Sequence, residues 1–340
     1  MAILNVETVV ESKSEQLLFK GLTFGASDIH IVPTSDNYTV HFRKYGKLFN
    51  AGNITIDLGN RIISYFKFLS SLDISEKRKP QSGSFQKEMQ KKLYSFRVST
   101  LPSIFQKESL VIRLMLQNAT NSITSLCYHS KSAERLINLI SNRQGLLLFC
   151  GATGSGKTTS MYSLIHYCSE SLARHVISLE DPVESSQEHL LQIQVNERAG
   201  VTYAAGLRAI LRHSPDVIMI GEIRDHETAK IAIEASLTGH LVLSTIHAKD
   251  SVNCIYRLMD LGIPIEEIRQ SLLGIIAQCL IQVGKHDQRK ALYEILSDIH
   301  LYEAIAATMR GHEYSLPENE TLLFQLKTLE RKDTHASTSF

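Results

Sequence analysis

An apolar run, Leu146-Leu-Leu-Phe-Cys150, gives way to Gly151-Ala-Thr-Gly-Ser-Gly-Lys-Thr-Thr159 and then to the helical run Ser160-Met-Tyr-Ser-Leu-Ile-His-Tyr167. The middle piece fits G-x-x-x-x-G-K-[ST], and its setting predicts strand, loop and helix in that order. Glycine permits the backbone conformations that aim successive N–H groups inward, at the positive end of the following helix dipole. Gly151, Ala152, Thr153, Gly154, Ser155, Gly156, Lys157, Thr158 and Thr159 therefore form a candidate cradle for a nucleoside triphosphate. Lys157 can reach the β- and γ-phosphates, and the Thr158 hydroxyl can hold Mg²⁺. The reading without function is a glycine turn followed by an ordinary surface lysine, and the flanking strand and helix speak against it.

A loop of this kind belongs to an α/β sheet, and the surrounding texture agrees. Leu146–Cys150, Val176–Leu179, Val217–Ile220 and Leu241–Ser244 are four short apolar runs separated by helix-length pieces, which argues for parallel strands. The front of the chain differs. Residues 1–20 have helical apolar spacing with Gly21 as the expected stop, and two alternating segments, from Asp28 and from Asn37, suggest a hairpin with a turn at Gly46. Helical spacing returns over 58–72, and strand alternation over 83–116. We expect a small α+β domain at 1–116, a polar linker at 117–130, an α/β phosphate-loop domain at 131–310, and a polar C-terminal segment at 311–340, disordered from about Lys332.

Charge separates along the same line. The 340 residues carry 36 Lys+Arg and 35 Asp+Glu, a net charge of +1 that excludes a simple, strongly basic nucleic-acid-binding module. Residues 1–130 hold 16 basic and 10 acidic side chains, and residues 131–340 hold 20 and 25. The N-terminus lacks the pattern of a signal peptide, and no apolar run reaches the 18–20 residues or so that a bilayer requires. The five cysteines are scattered with no C-x-x-C pair, so a reducing, cytoplasmic setting and no structural zinc are expected.

Three further groups stand at apolar strand ends. Asp216-Val-Ile-Met-Ile-Gly221-Glu222 places an acid where a strand beside the phosphate-loop strand would present it to Mg²⁺ and its water. Glu180-Asp-Pro-Val-Glu184 collects three acids after Val176–Leu179; one could polarise an attacking water, or the group could be a solvated acidic turn. His240 and His247 flank Leu241–Ser244 seven residues apart, an interval that places them on opposite strand faces and argues against a metal pair.

In this order the four segments resemble the Walker A, Asp, Walker B and His boxes of the secretion ATPase superfamily, which serves type II secretion and type IV pilus assembly. Ala26-Ser-Asp-Ile-His-Ile-Val-Pro33 and Arg78-Lys-Pro-Gln-Ser-Gly83 resemble two signatures of that family's front domain, so the resemblance spans roughly residues 20–310. It implies a RecA-like P-loop domain with a parallel-rich sheet, preceded by a PAS-like α+β domain, with nucleotide held between the two lobes of each subunit in a ring hexamer. Its nearest likeness is to the branch that builds a competence pseudopilus. By resemblance, Glu184 activates water, Glu222 organises Mg²⁺ with Thr158, and His247 senses the γ-phosphate with His240 in support. Glu180, Asp181, Gly221 and Arg224 complete the nucleotide site, and Arg97 and Arg113 bring cationic charge from the front domain.

The function so implied is an ATP- and Mg²⁺-dependent motor for assembling a pilus-like competence fibre used in DNA uptake. It would work at the inner face of the cell membrane against a polytopic membrane platform protein, without binding nucleic acid directly. Retraction of such fibres, RecA-like translocation of DNA, and slow ATP binding by an interaction protein are the alternatives. Two departures from the family pattern fall at Ala277-Gln-Cys279-Leu, where the family has Arg at the third position, and at Pro80-Gln-Ser-Gly-Ser84, which lacks an acid and a base.

Overall fold

The computed structural model describes residues 2–104, 107–117, 121–283 and 288–332. It divides into two compact units, Met1–Ala119 and Thr120–Phe340. In the first, α1 (Ala2–Phe24) is followed by β1 (Asp28–Pro33), β2 (Asn37–Lys44), β3 (Lys47–Thr55), α2 (Ile56–Leu69), β4 (Gln81–Met89), β5 (Lys92–Pro102) and β6 (Glu108–Leu116). The strands form one antiparallel sheet in the order β3-β2-β1-β6-β5-β4. One face carries Ile29, Ile31, Tyr38, Val40, Phe96, Val98, Leu110 and Ile112, which pack with Leu18 of α1 and Ile62, Ile63 and Phe66 of α2. Period-two alternation thus decides which face is covered.

Two local expectations shift. Gly21 does not end α1; the helix continues to Phe24, and Gly25, at φ +76°, supplies the left-handed residue that closes it. Gly21 instead lets α1 approach β1, because a Cβ there would lie 2.7 Å from Ile29 Cδ1. The Gly46 turn is present between β2 and β3, with Tyr45 and Gly46 both at positive φ.

The second unit contains α3 (Ile123–Leu126), α4 (Ser130–Ser141), β7 (Gly145–Cys150), α5 (Lys157–Glu170), β8 (Val176–Glu180), β9 (Leu191–Gln194), α6 (Tyr203–Ile210), β10 (Val217–Ile220), α7 (His226–Leu237) and β11 (Leu241–Thr245). It ends with α8 (Asn253–Asp260), α9 (Ile265–Ser271), β12 (Leu272–Val283), β13 (Gln288–Ser297), α10 (Asp298–Met309) and α11 (Leu322–Lys332). The sheet order is β13-β12-β7-β11-β10-β8-β9, parallel from β12 to β9 with β13 antiparallel at one edge.

The buried strand β7 shows why the apolar runs do not alternate. Leu146, Leu148 and Cys150 enter one core with residues of α6–α10, whereas Leu147 and Phe149 enter another with residues of α3–α5. Both faces are covered, as parallel sheets require.

The expected linker does not survive as a single stretch. Ser122 caps α3, whose Ile123 is buried, and Cys127 is buried and bridges to Ala291, so this part belongs to the second unit. The polar segment expected after residue 311 carries α11, whose Leu322, Leu326 and Leu329 pack on Ile281 and Leu292. The disorder expected toward the terminus falls on residues 333–340, outside those described.

Candidate active site

Every motif of the second unit leaves the same end of the sheet. Across β7, β11, β10 and β8, Phe149 pairs with Thr245, Ser244 with Ile220, and Ile220 with Leu179. Gly151, His247, Glu222 and Asp181 each lie two residues beyond one of these positions, so all four segments converge outside the carboxyl ends of adjacent parallel strands. The Glu222 strand is not beside the phosphate-loop strand, as the sequence suggested. β11 separates them, and Glu222, two residues beyond the end of β10, still acts on the charge of Lys157.

The loop has the strained backbone that its glycines predict, with φ of +137° at Gly151, +82° at Gly154 and +87° at Gly156, the residue preceding α5. Lys157 Nζ donates to the carbonyls of Gly151 at 2.8 Å and Ala152 at 3.0 Å, folding its side chain over the loop. Burial lowers the Lys157 pKa, against the opposing pull of Cys150, Glu222 and Glu184. Both proposed acids therefore act on the lysine electrostatically. Thr158 follows it in the first turn of α5, half-buried.

Glu222 is held from two sides. Arg224 Nε donates to Oε2 at 2.6 Å, and His247 Nε2 lies 2.9 Å from Oε1. That hydrogen bond is the first cause of the upward shift of the Arg224 pKa. Gly221 is closely packed: a Cβ there would lie 2.9 Å from Tyr203 Oη and 3.4 Å from Glu180 Cα. Thr245 Oγ1 donates to the Gly221 carbonyl at 2.7 Å, tying β11 to the Glu222 turn. His247, Glu222 and Arg224 thus form one connected group beside the loop.

Two expected residues stand elsewhere. His240 precedes β11 at its amino end, level with the start of β7, and its Nδ1 lies 3.1 Å from the Ala235 carbonyl. The seven-residue interval spans the strand, so His240 and His247 are at opposite ends and only His247 reaches the site. Glu180 ends β8 at the correct edge, but its carboxylate points into the protein. It accepts from Tyr162 Oη, from Ser178 Oγ at 2.6 Å and from Gln192 Nε2 at 3.1 Å. Burial raises its pKa, with those hydrogen bonds opposing. Glu180 braces the acidic turn and does not face solvent, whereas Asp181 and Glu184 are exposed.

Arg97 and Arg113 lie in the first unit as directly paired residues of β5 and β6. Arg113 Nε donates to Asp28 Oδ1 at 2.9 Å, and Asp28 in turn pairs with Arg43 across β1 and β2. Arg43, Asp28, Arg113 and Arg97 therefore form a row across the sheet face opposite α1 and α2. Tyr162, Tyr203 and Gln278 were not anticipated as site residues; Gln278 lies in the Ala277-Gln-Cys279-Leu segment, noted in the sequence for Cys279 alone, and the roles of all three arise from contacts between distant segments.

Residues 5–319 match the family described as "Type II/IV secretion system protein". The chain belongs to that family. Over 319 residues, 89% of each chain, it is 42% identical to the Competence protein ComGA of Bacillus subtilis. Over 267 residues it is 39% identical to the Type IV pilus assembly ATPase PilB of Pseudomonas aeruginosa, covering 78% of this chain and 47% of that one. The pilus retraction motor PilT, solved with bound ADP, superposes with a TM-score of 0.69 at 26% identity and covers 92% of each chain. This secretion-family chain is an ATPase with an α/β fold of PilT type.

Proposed function

We propose that the chain is a hexameric motor whose ATP hydrolysis drives assembly of a pilus-like competence fibre for DNA uptake, working against a membrane platform protein. The observation that carries this reading is the convergence of the phosphate loop, Glu184 and the Glu222–Arg224–His247 group at one sheet end. Likeness to a competence protein and a pilus assembly ATPase supports the fibre-building role. In this reading the second unit is RecA-like, the first PAS-like, and the work is done at the inner membrane face without direct nucleic-acid contact. Among the described residues no helix is long and apolar enough to cross a membrane.

The geometry supports the following roles. Loop N–H groups and Lys157 bind the phosphates, and Glu184, exposed and electrostatically linked to Lys157, orients the attacking water. Thr158 and Glu222 suit Mg²⁺, which takes few protein ligands and keeps waters and phosphate oxygens. When bound, the ion neutralises developing phosphate charge. His247 and Arg224 fix the Glu222 carboxylate, and Arg97 and Arg113 are assigned the remaining charge neutralisation.

Lys157→Ala should abolish ATP hydrolysis and, in cells lacking the wild-type gene, surface fibres and DNA uptake. Normal fibres in that variant would sink the motor reading. The PilT likeness makes retraction the second reading; a deletion strain with more fibres than wild type would favour it over assembly.

A further inference from the structure

β12 packs directly against the phosphate loop, and Gln278 contacts it at several points. Gln278 is 2% exposed, and its Nε2 donates to the Ser155 carbonyl at 2.8 Å. Its backbone carbonyl stands so near Gly151 that a Cβ there would lie 2.4 Å from it. A Cβ on Gly156 would lie 3.0 Å from Gln278 Nε2. Two of the three loop glycines are thus fitted to one side chain and its backbone. Among the described residues, Gln278 Oε1 and Ser155 Oγ are both buried without a hydrogen-bond partner. The Ser155 carbonyl is therefore the contact that fixes which way the Gln278 amide faces.

We propose that Gln278 is the positioning residue that sets the phosphate-binding shape of the loop. The proposal rests on the nucleotide-binding reading above. A trans peptide is planar, so holding the Ser155 oxygen against β12 turns the Gly156 N–H the opposite way, away from β12 and toward the cradle. An inward N–H at the start of α5 adds to the positive potential that the helix terminus offers a phosphate. Without the glutamine donor this peptide is free to rotate, and its carbonyl can then turn toward the phosphates and repel them. Gln278 acts through the loop and touches no reacting atom.

The test uses the full chain and the fluorescent nucleotide N-methylanthraniloyl-ADP. Gln278→Met keeps the length and apolar bulk but lacks the donor. It should weaken nucleotide binding about tenfold, because the Ser155–Gly156 peptide must then be oriented at the moment of binding. The KM for ATP should rise with kcat changed little, and the unfolding midpoint without nucleotide should fall modestly while the chain stays fully folded at the assay temperature. Gln278→Glu adds a second arm: ionised, it opposes the Ser155 carbonyl and should bind worse than the Met variant, but protonated it can donate. Its affinity should therefore recover as pH falls, and that of Gln278→Met should not. Wild-type affinity in the Met variant, or a weakening accounted for by a partly unfolded nucleotide-free chain at the assay temperature, would overturn the proposal. Failure of wild-type protein to bind the probe would overturn the nucleotide reading instead.

Discussion

Glu180 is a carboxylate that folding places where water does not reach, and three donors surround it. Its folded-state pKa is raised by burial. A group shifted in this direction contributes stability that is fully present below the ordinary glutamate pKa of about 4.3 and is lost as pH rises through the folded value. The hydroxyl of Tyr162, itself buried, favours the charged form and limits that loss. Tyr162→Phe should accordingly cost about 1.5–3 kcal/mol at pH 8, as for a hydrogen bond to a buried charge, and much less near pH 4.5. Urea unfolding at the two pH values checks this; an equal loss at both would show that the phenol acts by packing alone. The acid was legible in the sequence as part of an acidic turn, but its orientation was not. That depends on Gln192 and Tyr162, which reach it from β9 and α5.

Among elements, α2 and the sheet beneath it illustrate how close approach outweighs local propensity. Alanine in place of Gly59 would favour an isolated helix by about 1 kcal/mol. In the fold, its Cβ would lie 2.3 Å from Tyr38 Cδ2. Tyr38 is fully buried, and its hydroxyl donates to Asn60 Oδ1 at 2.7 Å, so the ring has no easy retreat. Overpacking costs about 1–3 kcal/mol and belongs here at the upper end. Gly59→Ala should therefore destabilise by about 2 kcal/mol net, read as a lower unfolding midpoint; an unchanged or higher midpoint would show that α2 shifts without penalty. The spacing of Ile62, Ile63, Phe66 and Leu69 made α2 readable, as the apolar runs made β7, β8, β10 and β11 readable. The pairing of β12 with β13 was hidden because β12 is buried along most of its length and shows no alternation. α11 was hidden by its polarity, since only Leu322, Leu326 and Leu329 mark its packed side.

At the scale of the whole molecule, the division into Met1–Ala119 and Thr120–Phe340 is a division of cores and of charge. Among the described residues, each buried apolar cluster lies within one unit or the other. The buried ion pair of Lys67 with Glu108, at 2.8 Å, is likewise internal to the first unit. Residues 1–119 carry 16 basic and 10 acidic side chains, the remainder 20 and 25. The phosphate-binding loop therefore belongs to the more acidic unit. Long-range attraction is a poor source of affinity there, because exposed charges are screened beyond about 8–10 Å at ordinary salt. Inward N–H groups and one lysine act at contact distance and do not depend on the unit's net charge. Arg97 and Arg113, by contrast, are on the other unit. If binding resides in the loop and charge neutralisation during hydrolysis in the arginine row, the two should separate on dissection. A fragment of residues 120–340 should fold cooperatively and bind N-methylanthraniloyl-ADP within about tenfold of the full chain, since one tenfold step is only 1.4 kcal/mol. Its ATP turnover should fall at least a hundredfold, as loss of a transition-state cation commonly costs 10³ or more. The matching full-length variant Arg97→Ala, Arg113→Ala should reproduce the turnover defect with binding retained. A fragment that hydrolyses ATP at the full-chain rate would remove the first unit from the chemistry and leave it a role in assembly alone.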